Sequence, residues 1–289
     1  MAPSRLTLIG ESINDSVPST HALFEANDVA GIIGLARSQS ELGADYIDVN
    51  VGPRPADFMA DLVRAVQAVA AKPLSIDSPD PALAEAGLAA CDPVRGTPIL
   101  NSISPLRLAM FDLLAVCRFR PILLASENLR DGTESPCLTA EETYAAARLL
   151  LETARSRGLS NDDCIIDPGI APIGADSENN IHRLMGALRL IHDDPAFAGV
   201  HVSVGLSNFT VMLPPRRADG SPVKLPLANA FLTRAMPLGL DTIIGSAKLA
   251  YGPLPEGHPA LQCFDDCLAV SGFDVLMRVQ DFYSWLLML

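Results

Sequence analysis

Carboxylate and carboxamide side chains recur in this chain at one kind of place, directly after a short apolar run. The run at residues 200–206, for example, ends on Ser207 and Asn208, while Asp77 and Asp167 close two other runs. The remaining members of this set are Glu11, Asn14, Asp48, Asn50 and Asn101. None of these positions carries a Lys or Arg, so the set is poorly suited to phosphate, which cations bind best.

Two chemistries fit such a set. Any one of these residues could simply cap a helix, because Asp, Asn and Ser are favoured at helix N-caps. Taken together they indicate the lining of a pocket. Glu11, Asp48, Asp77 and Asp167 could cage Mg²⁺ through their carboxylate oxygens. A zinc site is less favoured, since no two of the five histidines have a ligand spacing such as HxH.

A neutral heterocycle rich in N–H donors fits the set better than a metal does. A pterin presents an amide N–H beside an exocyclic amine, and a carboxylate can accept hydrogen bonds from both. Asparagine can complement the mixed donors and acceptors elsewhere on such a ring. The residues alone therefore favour a heterocycle over a cation and leave both open.

Eight short β-rich runs carry these polar ends. The predicted strands are residues 6–11, 46–52, 74–78, 98–102, 121–126, 164–169, 201–208 and 242–246. The fifth runs into Ser126, Glu127 and Asn128, and Ser102 ends the fourth. Helical periodicity occupies most of the intervals, at residues 32–42, 58–71, 81–90, 106–117, 139–157, 181–191 and 227–236. The alternation predicts an α/β protein of the (β/α)8 TIM-barrel type.

A barrel explains the position of the polar residues, because the C-terminal ends of its strands form the active face. The main rival is a doubly wound open sheet, which usually has a glycine-rich first turn. No GxGxxG follows the first strand here. With no linker and no internal repeat in the sequence, we expect a single domain over residues 1–289.

Composition narrows the choice of partners. The chain has 289 residues, 49% of them hydrophobic, and a formal net charge of -13. The acidic balance argues against nucleic acid or an anionic membrane surface as a partner. The opening residues lead straight into an apolar strand, so we expect no export signal and no membrane span. Six cysteines without a CxxC pair fit reduced thiols in a cytoplasmic protein.

A series of motifs follows one another from end to end of the chain. They read LIGESIN, GADYIDVNVG, LSIDS, AEAGL, ILNSIS, IIDPGIAP, GLSN, LPLANAFL and GLDTII. In this order they resemble the pterin-binding methyltransferase family. That family includes methyltetrahydrofolate:corrinoid/iron-sulfur protein methyltransferase and the folate module of cobalamin-dependent methionine synthase. The resemblance implies a TIM barrel like that of dihydropteroate synthase, and it covers about the whole chain.

The resemblance also implies roles for individual residues. Asp77, Asn101 and Asp167 match the family's ligands of the pterin ring, and Asn208 matches the asparagine that contacts N5, the nitrogen that carries the methyl group. Further pterin contacts are expected from Asp48, Asn50, Glu11, Asn14 and Ser102. The expected catalytic residues are Asn208 and Asp167, with no metal. The implied substrate is 5-methyltetrahydrofolate or tetrahydrofolate, and the chain is expected to be a homodimer.

Asparagine suits the chemistry at N5. The amine must gain a proton, or positive character, as its bond to the methyl group breaks, and a nearby cation would oppose that charge. A carboxamide can donate or accept after a small rotation. We therefore hypothesise that Asn208 stabilises the N5-protonated transition state.

The family's methyl acceptor is a Co(I) corrinoid. Because no DxHxxG-like corrinoid segment is found here, we expect a separate corrinoid protein to supply it.

Two segments stand apart from the motifs. The loop at residues 214–224 carries Arg216, Arg217 and Lys224, which could bind the glutamate tail of a folate or a partner, or could simply be solvated. We assign no role to Lys248. The apolar segment at residues 273–289 could support a homodimer or close the bottom of the barrel.

Three functions remain open at this stage. The first is methyl transfer between 5-methyltetrahydrofolate and a corrinoid protein, in either direction. The second is another pterin enzyme such as dihydropteroate synthase, although its Asn-Asp-Val-Ser-type segment and late basic motif are not found. The third is a pterin-binding or metal-binding barrel without catalytic activity.

Overall fold

The computed structural model describes residues 5–284 of the chain. Its strands are β1 (Thr7–Asn14), β2 (Tyr46–Asn50), β3 (Leu74–Asp77), β4 (Ile99–Ile103), β5 (Arg120–Leu124), β6 (Glu127–Arg130), β7 (Thr133–Pro136), β8 (Ile165–Asp167), β9 (His201–Gly205) and β10 (Thr242–Gly245). The helices are α1 (Pro18–Glu25), α2 (Val29–Glu41), α3 (Ala56–Val69), α4 (Pro81–Ala90), α5 (Ala140–Ser156), α6 (Asn180–Asp193), α7 (Leu206–Phe209), α8 (Lys224–Ala235), α9 (Pro259–Leu268) and α10 (Phe273–Ser284).

Eight of these strands close a parallel barrel. Around the barrel the order is β1, β10, β9, β8, β5, β4, β3 and β2, and β1 pairs with both β10 and β2. All eight correspond to strands predicted from the sequence, so the prediction of a TIM barrel is confirmed. Parallel closure brings the C-terminal ends of all eight strands to one rim.

Two apolar layers hold the barrel together. Ile9, Ile99, Ile122 and Ile165 are almost fully buried and form a small cluster of their own. They come from strands around the barrel, so the cluster fills its interior, as the packed centre of this fold requires. A much larger cluster lies between the strands and the helices outside them.

The structure departs from the sequence prediction at three points of the chain after β4. The predicted helix at residues 106–117 is a 3-10 helix, Leu108–Ala115, with Met110 N bonded to Arg107 O. Hydrogen bonds between residues three apart distinguish this segment from the α-helix that the periodicity predicts. The predicted fifth strand ends at Leu124, and β6 and β7 form a separate antiparallel hairpin. The seventh predicted strand stops at Gly205, and Asn208 lies in α7 instead.

The C-terminal helix α10 lies against α9 and the turn Ile173–Ala175 that follows β8. Val275, Val279 and Phe282 are its buried residues. The alternative that this segment closes the barrel bottom is therefore wrong for residues 273–284, because the turn belongs to the opposite rim. The remaining residues of the apolar tail, 285–289, lie outside the described part. Within residues 5–284 no helix is both long enough and apolar enough to cross a membrane.

Candidate active site

A cavity of about 330 Å³ opens at the C-terminal rim of the barrel. Its lining includes the ends of β1, β2, β3, β4, β8 and β9. The lining residues are Glu11, Asn14, Asp48, Asp77, Asn101, Ser102, Leu124, Ser126, Asp167, Gly169, Ile170, Gly205, Asn208 and Ile244. All the pterin contacts expected from the sequence are among them except Asn50. No Lys or Arg within residues 5–284 lines this cavity, so the polar part of the described lining is acidic or neutral.

Asp48 and Asp77 form a carboxyl pair in the floor. Burial raises the pKa of both groups, and the negative charge of Asp77 raises the pKa of Asp48 further. The pKa of Asp48 is therefore raised well above its ordinary value, by burial first and by its charged neighbour second. Asn50 donates from Nδ2 to Asp77 Oδ2 at 2.9 Å, so it supports the pair from behind instead of lining the cavity. Asn101 approaches Asp48 Oδ1 at 3.4 Å.

Asp167 is buried at the end of β8. Its Oδ1 accepts a hydrogen bond from Gly169 N at 2.8 Å, and Ser203 Oγ lies 3.4 Å from Oδ2. Burial outweighs these bonds and raises the pKa of Asp167 to about 6. The turn needs glycine at position 169, where φ is +71° and an added Cβ would collide with the Ser126 side chain.

Arg183 supports this turn from below and was not found by sequence reasoning. It lies buried on α6 and donates to Pro168 O at 2.7 Å and to Gly169 O at 2.8 Å. A third bond reaches Thr143 Oγ1 on α5 at 3.0 Å. A single arginine within an amphipathic helix gives no signal of such a role. Its guanidinium fixes the backbone that carries Asp167, and it does not itself line the cavity.

Asn208 lies on the four-residue helix α7 at the rim. Its neighbours Leu206 and Phe209 are fully buried, and the Phe209 ring lies 5.3 Å from that of Phe231, centroid to centroid. These anchors hold α7 in place and leave the Asn208 side chain exposed to the cavity. Within residues 5–284 the Asn208 amide makes no hydrogen bond, so both its oxygen and its nitrogen are available to a ligand.

Ser207 ties the same helix to the first strand, because its Oγ donates to Glu11 Oε2 at 2.9 Å. Burial raises the pKa of Glu11, and the Ser207 hydrogen bond offsets part of that rise. Tyr251 lies close by, with its hydroxyl accepting from Ser246 N at 3.2 Å. Glu11 thus faces the cavity from the side that carries Asn208.

The basic residues of the loop after α7 lie away from this cavity. Arg216 donates to Gly220 O within its own loop at 2.7 Å, and the Arg217 guanidinium lies 4.7 Å from the centre of the Phe282 ring. Lys224 Nζ donates to Val211 O at 3.3 Å and lines a neighbouring cleft of about 280 Å³. Lys248 is exposed. A role for the first three in binding a folate tail or a partner stays a prediction.

The carboxylates of the floor do not form a metal cage in this arrangement. Across residues 5–284, no three His, Cys, Asp or Glu side chains are placed so that they could hold a metal ion together. The apolar residues Leu124, Ile170 and Ile244 line the cavity together with the polar ones. Carboxyl and amide groups beside apolar side chains suit a heterocycle that carries hydrogen-bond donors and acceptors.

A family model described as pterin binding enzyme matches residues 13–245, which is most of the chain and runs from the end of β1 to the end of β10. The chain belongs to this family. Among curated proteins, the methylcorrinoid:tetrahydrofolate methyltransferase of Eubacterium limosum is 27% identical to it over 250 residues, covering 83% of this chain and 84% of that protein. This relative supports the methyltransferase branch of the pterin-binding family, which the motifs predict.

Solved structures with the same fold include dihydropteroate synthases. The enzyme from Xanthomonas albilineans in complex with 7,8-dihydropteroate is 19% identical, with a TM-score of 0.58, and the match covers 92% of this chain and 94% of that one. The enzyme from Vibrio fischeri ES114 is 17% identical, with a TM-score of 0.58, over 84% of this chain and 88% of that one. At these identities the similarity establishes the barrel fold of the family member described here and nothing about its substrate.

Proposed function

We propose that this pterin-binding enzyme transfers a methyl group between 5-methyltetrahydrofolate and a corrinoid held by a separate protein. The observation that carries the proposal is the composition of one cavity. Carboxyl groups that can accept from a pterin edge lie in its floor, an unengaged asparagine amide lies at its rim, and no cation lines it. The similarity to a named methylcorrinoid:tetrahydrofolate methyltransferase points the same way.

The floor suits the ring edge that carries hydrogen-bond donors. Asp77 and Asp167 are buried acceptors, and each is held by a donor of the protein, Asn50 for Asp77 and Gly169 N for Asp167. Such preorganised groups gain more from a bound N–H donor than flexible surface carboxylates do. Asn101 completes the set, since its side-chain amide can donate a hydrogen bond to an acceptor of the ring or accept one from a ring N–H.

Asn208 is the group we assign to N5. A bound amine that loses its methyl group passes from a tertiary amine, through an N5-protonated form, to a secondary amine with an N–H. An amide that is free to rotate can donate to N5 in one state and accept from it in the next. Because α7 is anchored by buried Leu206 and Phe209, the Asn208 backbone stays in place while only its side chain turns.

Dihydropteroate synthase activity is the second candidate, because enzymes with that activity share this barrel fold. The basic motif that this cousin carries late in its sequence has no counterpart here, and no Lys or Arg lines the cavity. Turnover of p-aminobenzoate by the purified protein would establish that activity instead of ours.

The corrinoid partner, the homodimer and the cytoplasmic location are parts of the same proposal. Residues 1–289 contain no corrinoid-binding segment of the DxHxxG type, and in this proposal the corrinoid reaches the rim on another protein. The reaction can run in either direction. Use of methyltetrahydrofolate and its formation during demethylation require the same cavity and the same groups.

The test is a methyl-transfer assay with free cobalamin standing in for the partner-bound corrinoid. Under anaerobic conditions, tetrahydrofolate with methylcobalamin, and methyltetrahydrofolate with cob(I)alamin, should both show protein-dependent turnover by absorbance. Asn208→Ala should lower kcat by roughly 100-fold. The exposed carboxamide Gln262 on α9 supplies the matched control Gln262→Ala, which should keep the wild-type rate. Full activity of Asn208→Ala at saturating substrate would contradict the role.

A further inference from the structure

Glu11 is one of the expected pterin contacts, but the proposed function assigns it to no atom of the ring. It lines the cavity near the end of β1, and its Oε2 accepts from Ser207 Oγ at 2.9 Å. Ser207 is the residue before Asn208 on α7, so this bond links Glu11 to the helix that carries the N5 contact. Within residues 5–284 the second oxygen, Oε1, has no hydrogen-bond partner.

The surroundings of Glu11 favour its neutral form. The titratable groups that face it are Asp77 on β3, Asp48 on β2 and Tyr251 in the loop after β10. Among the described residues, no Lys, Arg or His lies within ion-pair distance of it. Burial and the charge of Asp77 raise the pKa of the Glu11 carboxyl, with the Ser207 bond opposing them. A carboxyl in such a setting can hold a proton at a pH where an exposed glutamate has lost it.

The other carboxyl groups of the cavity are engaged differently. Asp77 accepts from Asn50, and Asp167 accepts from the backbone of its own turn. In the proposed function Asp77 and Asp167 receive N–H donors of the pterin ring, and these donors favour the ionised form of both groups. Glu11 is on the Asn208 side of the cavity and has a free oxygen, so it is the carboxyl best placed to exchange a proton with the bound amine.

We propose that Glu11 holds the proton that N5 gains when its methyl group leaves and gives up when the methyl group returns. This inference rests on the proposed function. It adds a proton donor and acceptor to an account in which Asn208 can stabilise a charge at N5 but can supply no proton of its own.

The step balances in both directions. When methyltetrahydrofolate is consumed, the O–H bond of Glu11 breaks and an N–H bond forms at N5. The N5–methyl bond then breaks with its electron pair staying on N5, while the electron pair of Co(I) bonds the methyl group to the corrinoid. Neutral tetrahydrofolate leaves, and the Glu11 carboxylate takes a proton from solvent. In reverse, N5 of tetrahydrofolate attacks the methyl group, the cobalt–carbon bond breaks with its electron pair returning to cobalt as Co(I), and the Glu11 carboxylate accepts the N5 proton.

The experiment separates proton transfer from the mechanical link to α7. Glu11→Gln keeps a side chain that can bond to Ser207 but cannot exchange a proton, whereas Ser207→Ala removes the bond and leaves the carboxyl. Glu11→Asp, a second variant, keeps a titratable group. The control is Glu41→Gln, at an exposed glutamate on α2. Rates are measured against pH in both directions with free cobalamin and cob(I)alamin, and methyltetrahydrofolate binding is measured by calorimetry.

We expect Glu11→Gln to lower kcat by about 100-fold while binding persists. Ser207→Ala should lower kcat by about tenfold or less, the worth of one hydrogen bond. In wild type, the rate of methyltetrahydrofolate consumption should fall as pH rises through the pKa of Glu11, and the reverse rate should fall as pH drops through it. Glu11→Gln should lose both of these pH dependences, and Glu11→Asp should keep them.

Two outcomes would overturn the inference while leaving the proposed function intact. One is a Glu11→Gln protein with wild-type rate and pH dependence. The other is an equal loss in Ser207→Ala and Glu11→Gln, which would make Glu11 a purely positional support for α7. If wild type itself binds methyltetrahydrofolate but transfers no methyl group to either cobalamin, the proposed function fails, and the inference fails with it.

Discussion

At the scale of single residues, the cavity keeps carboxyl groups buried at a cost in stability that a bound ring can offset. Asp167 is buried behind Gly169 and has no ion-pair partner within residues 5–284. Its charge therefore opposes folding of the empty protein, while the same charge is what a pterin N–H edge requires. Stability and binding should respond in opposite directions when this charge is removed.

Asp167→Asn tests that opposition. The ordinary pKa of the group is 3.8, and burial raises it to about 6 in the folded chain. The folded state thus binds the extra proton, and the stability this supplies is lost as pH rises through about 6. At pH 8 the asparagine variant should be more stable than wild type by roughly 1–3 kcal/mol and should bind methyltetrahydrofolate at least tenfold more weakly.

The measurement is thermal unfolding of the ligand-free protein at pH 5 and pH 8, with calorimetry for binding. At pH 5 Asp167 is largely protonated in the folded wild type but not in the unfolded chain, so the difference in stability should be about half of that at pH 8 and should vanish only below the ordinary pKa of 3.8. A variant that is less stable than wild type at both pH values would show that ionised Asp167 supports the empty fold, contrary to this account.

At the scale of elements, the position of Asp167 depends on a helix that never reaches the cavity. Arg183 on α6 bonds two successive carbonyls of the turn after β8 and the Thr143 hydroxyl on α5. Arginine presents several donors in a rigid plane, and lysine cannot bond all three acceptors in the same geometry. Replacing Arg183 by lysine keeps the positive charge and changes only the geometry of the donors, so the turn that carries Asp167 should become less rigid.

Arg183→Lys should therefore weaken methyltetrahydrofolate binding by about tenfold and lower the free energy of unfolding by about 1–3 kcal/mol. Arg189→Lys is the matched control, since Arg189 lies exposed on the same helix. Calorimetric titration and urea unfolding measure the two effects. Unchanged affinity in Arg183→Lys would mean that the turn holds Asp167 without help from α6.

The sequence alone predicts those elements that are marked by a local pattern of residues. Each barrel strand is a short apolar run with a polar end. Because a parallel barrel places the C-terminal ends of all its strands at one rim, these polar ends can be predicted to lie close together. The hairpin β6–β7 was missed because its residues are polar and follow β5 without a break, so they read as the end of that strand. The sequence also places Asn50 among the cavity residues, because it cannot distinguish a side chain that faces the ligand from one that supports Asp77.

Arg183 illustrates a stronger limit. Nothing local distinguishes this buried arginine from the exposed Arg189 one and a half turns later, since both lie in a helix with mixed neighbours. Its role appears only when the turn after β8 is packed against α6. Contacts of this kind, between residues that are distant in sequence, can be recognised only from the three-dimensional structure.

At the scale of the whole molecule, the proposed homodimer has a surface available. On α10, Phe273 is 67% exposed and Met277 is 41% exposed, although the opposite face of that helix is buried. Apolar side chains left out of the core on a well-packed helix are typical of an interface. We expect the purified chain to have twice its monomer mass by light scattering.

Phe273→Ser should shift this protein toward the monomer at low concentration. The control is Leu129→Ser on the hairpin, where Leu129 is 56% exposed but isolated on a polar strand. A wild-type chain that is monomeric at all concentrations, or a dimer that Phe273→Ser leaves unchanged, would rule out α10 as the contact.

The cavity at the barrel rim, which no Lys or Arg of residues 5–284 lines, should bind a pterin ring, and a single titration decides whether it does. The purified protein is titrated calorimetrically with 5-methyltetrahydrofolate, with EDTA present throughout. The account predicts binding in the micromolar range at one site per chain, lost in Asp77→Ala and unaffected by the chelator. Absence of binding, or binding that returns only when Mg²⁺ replaces EDTA, would contradict it.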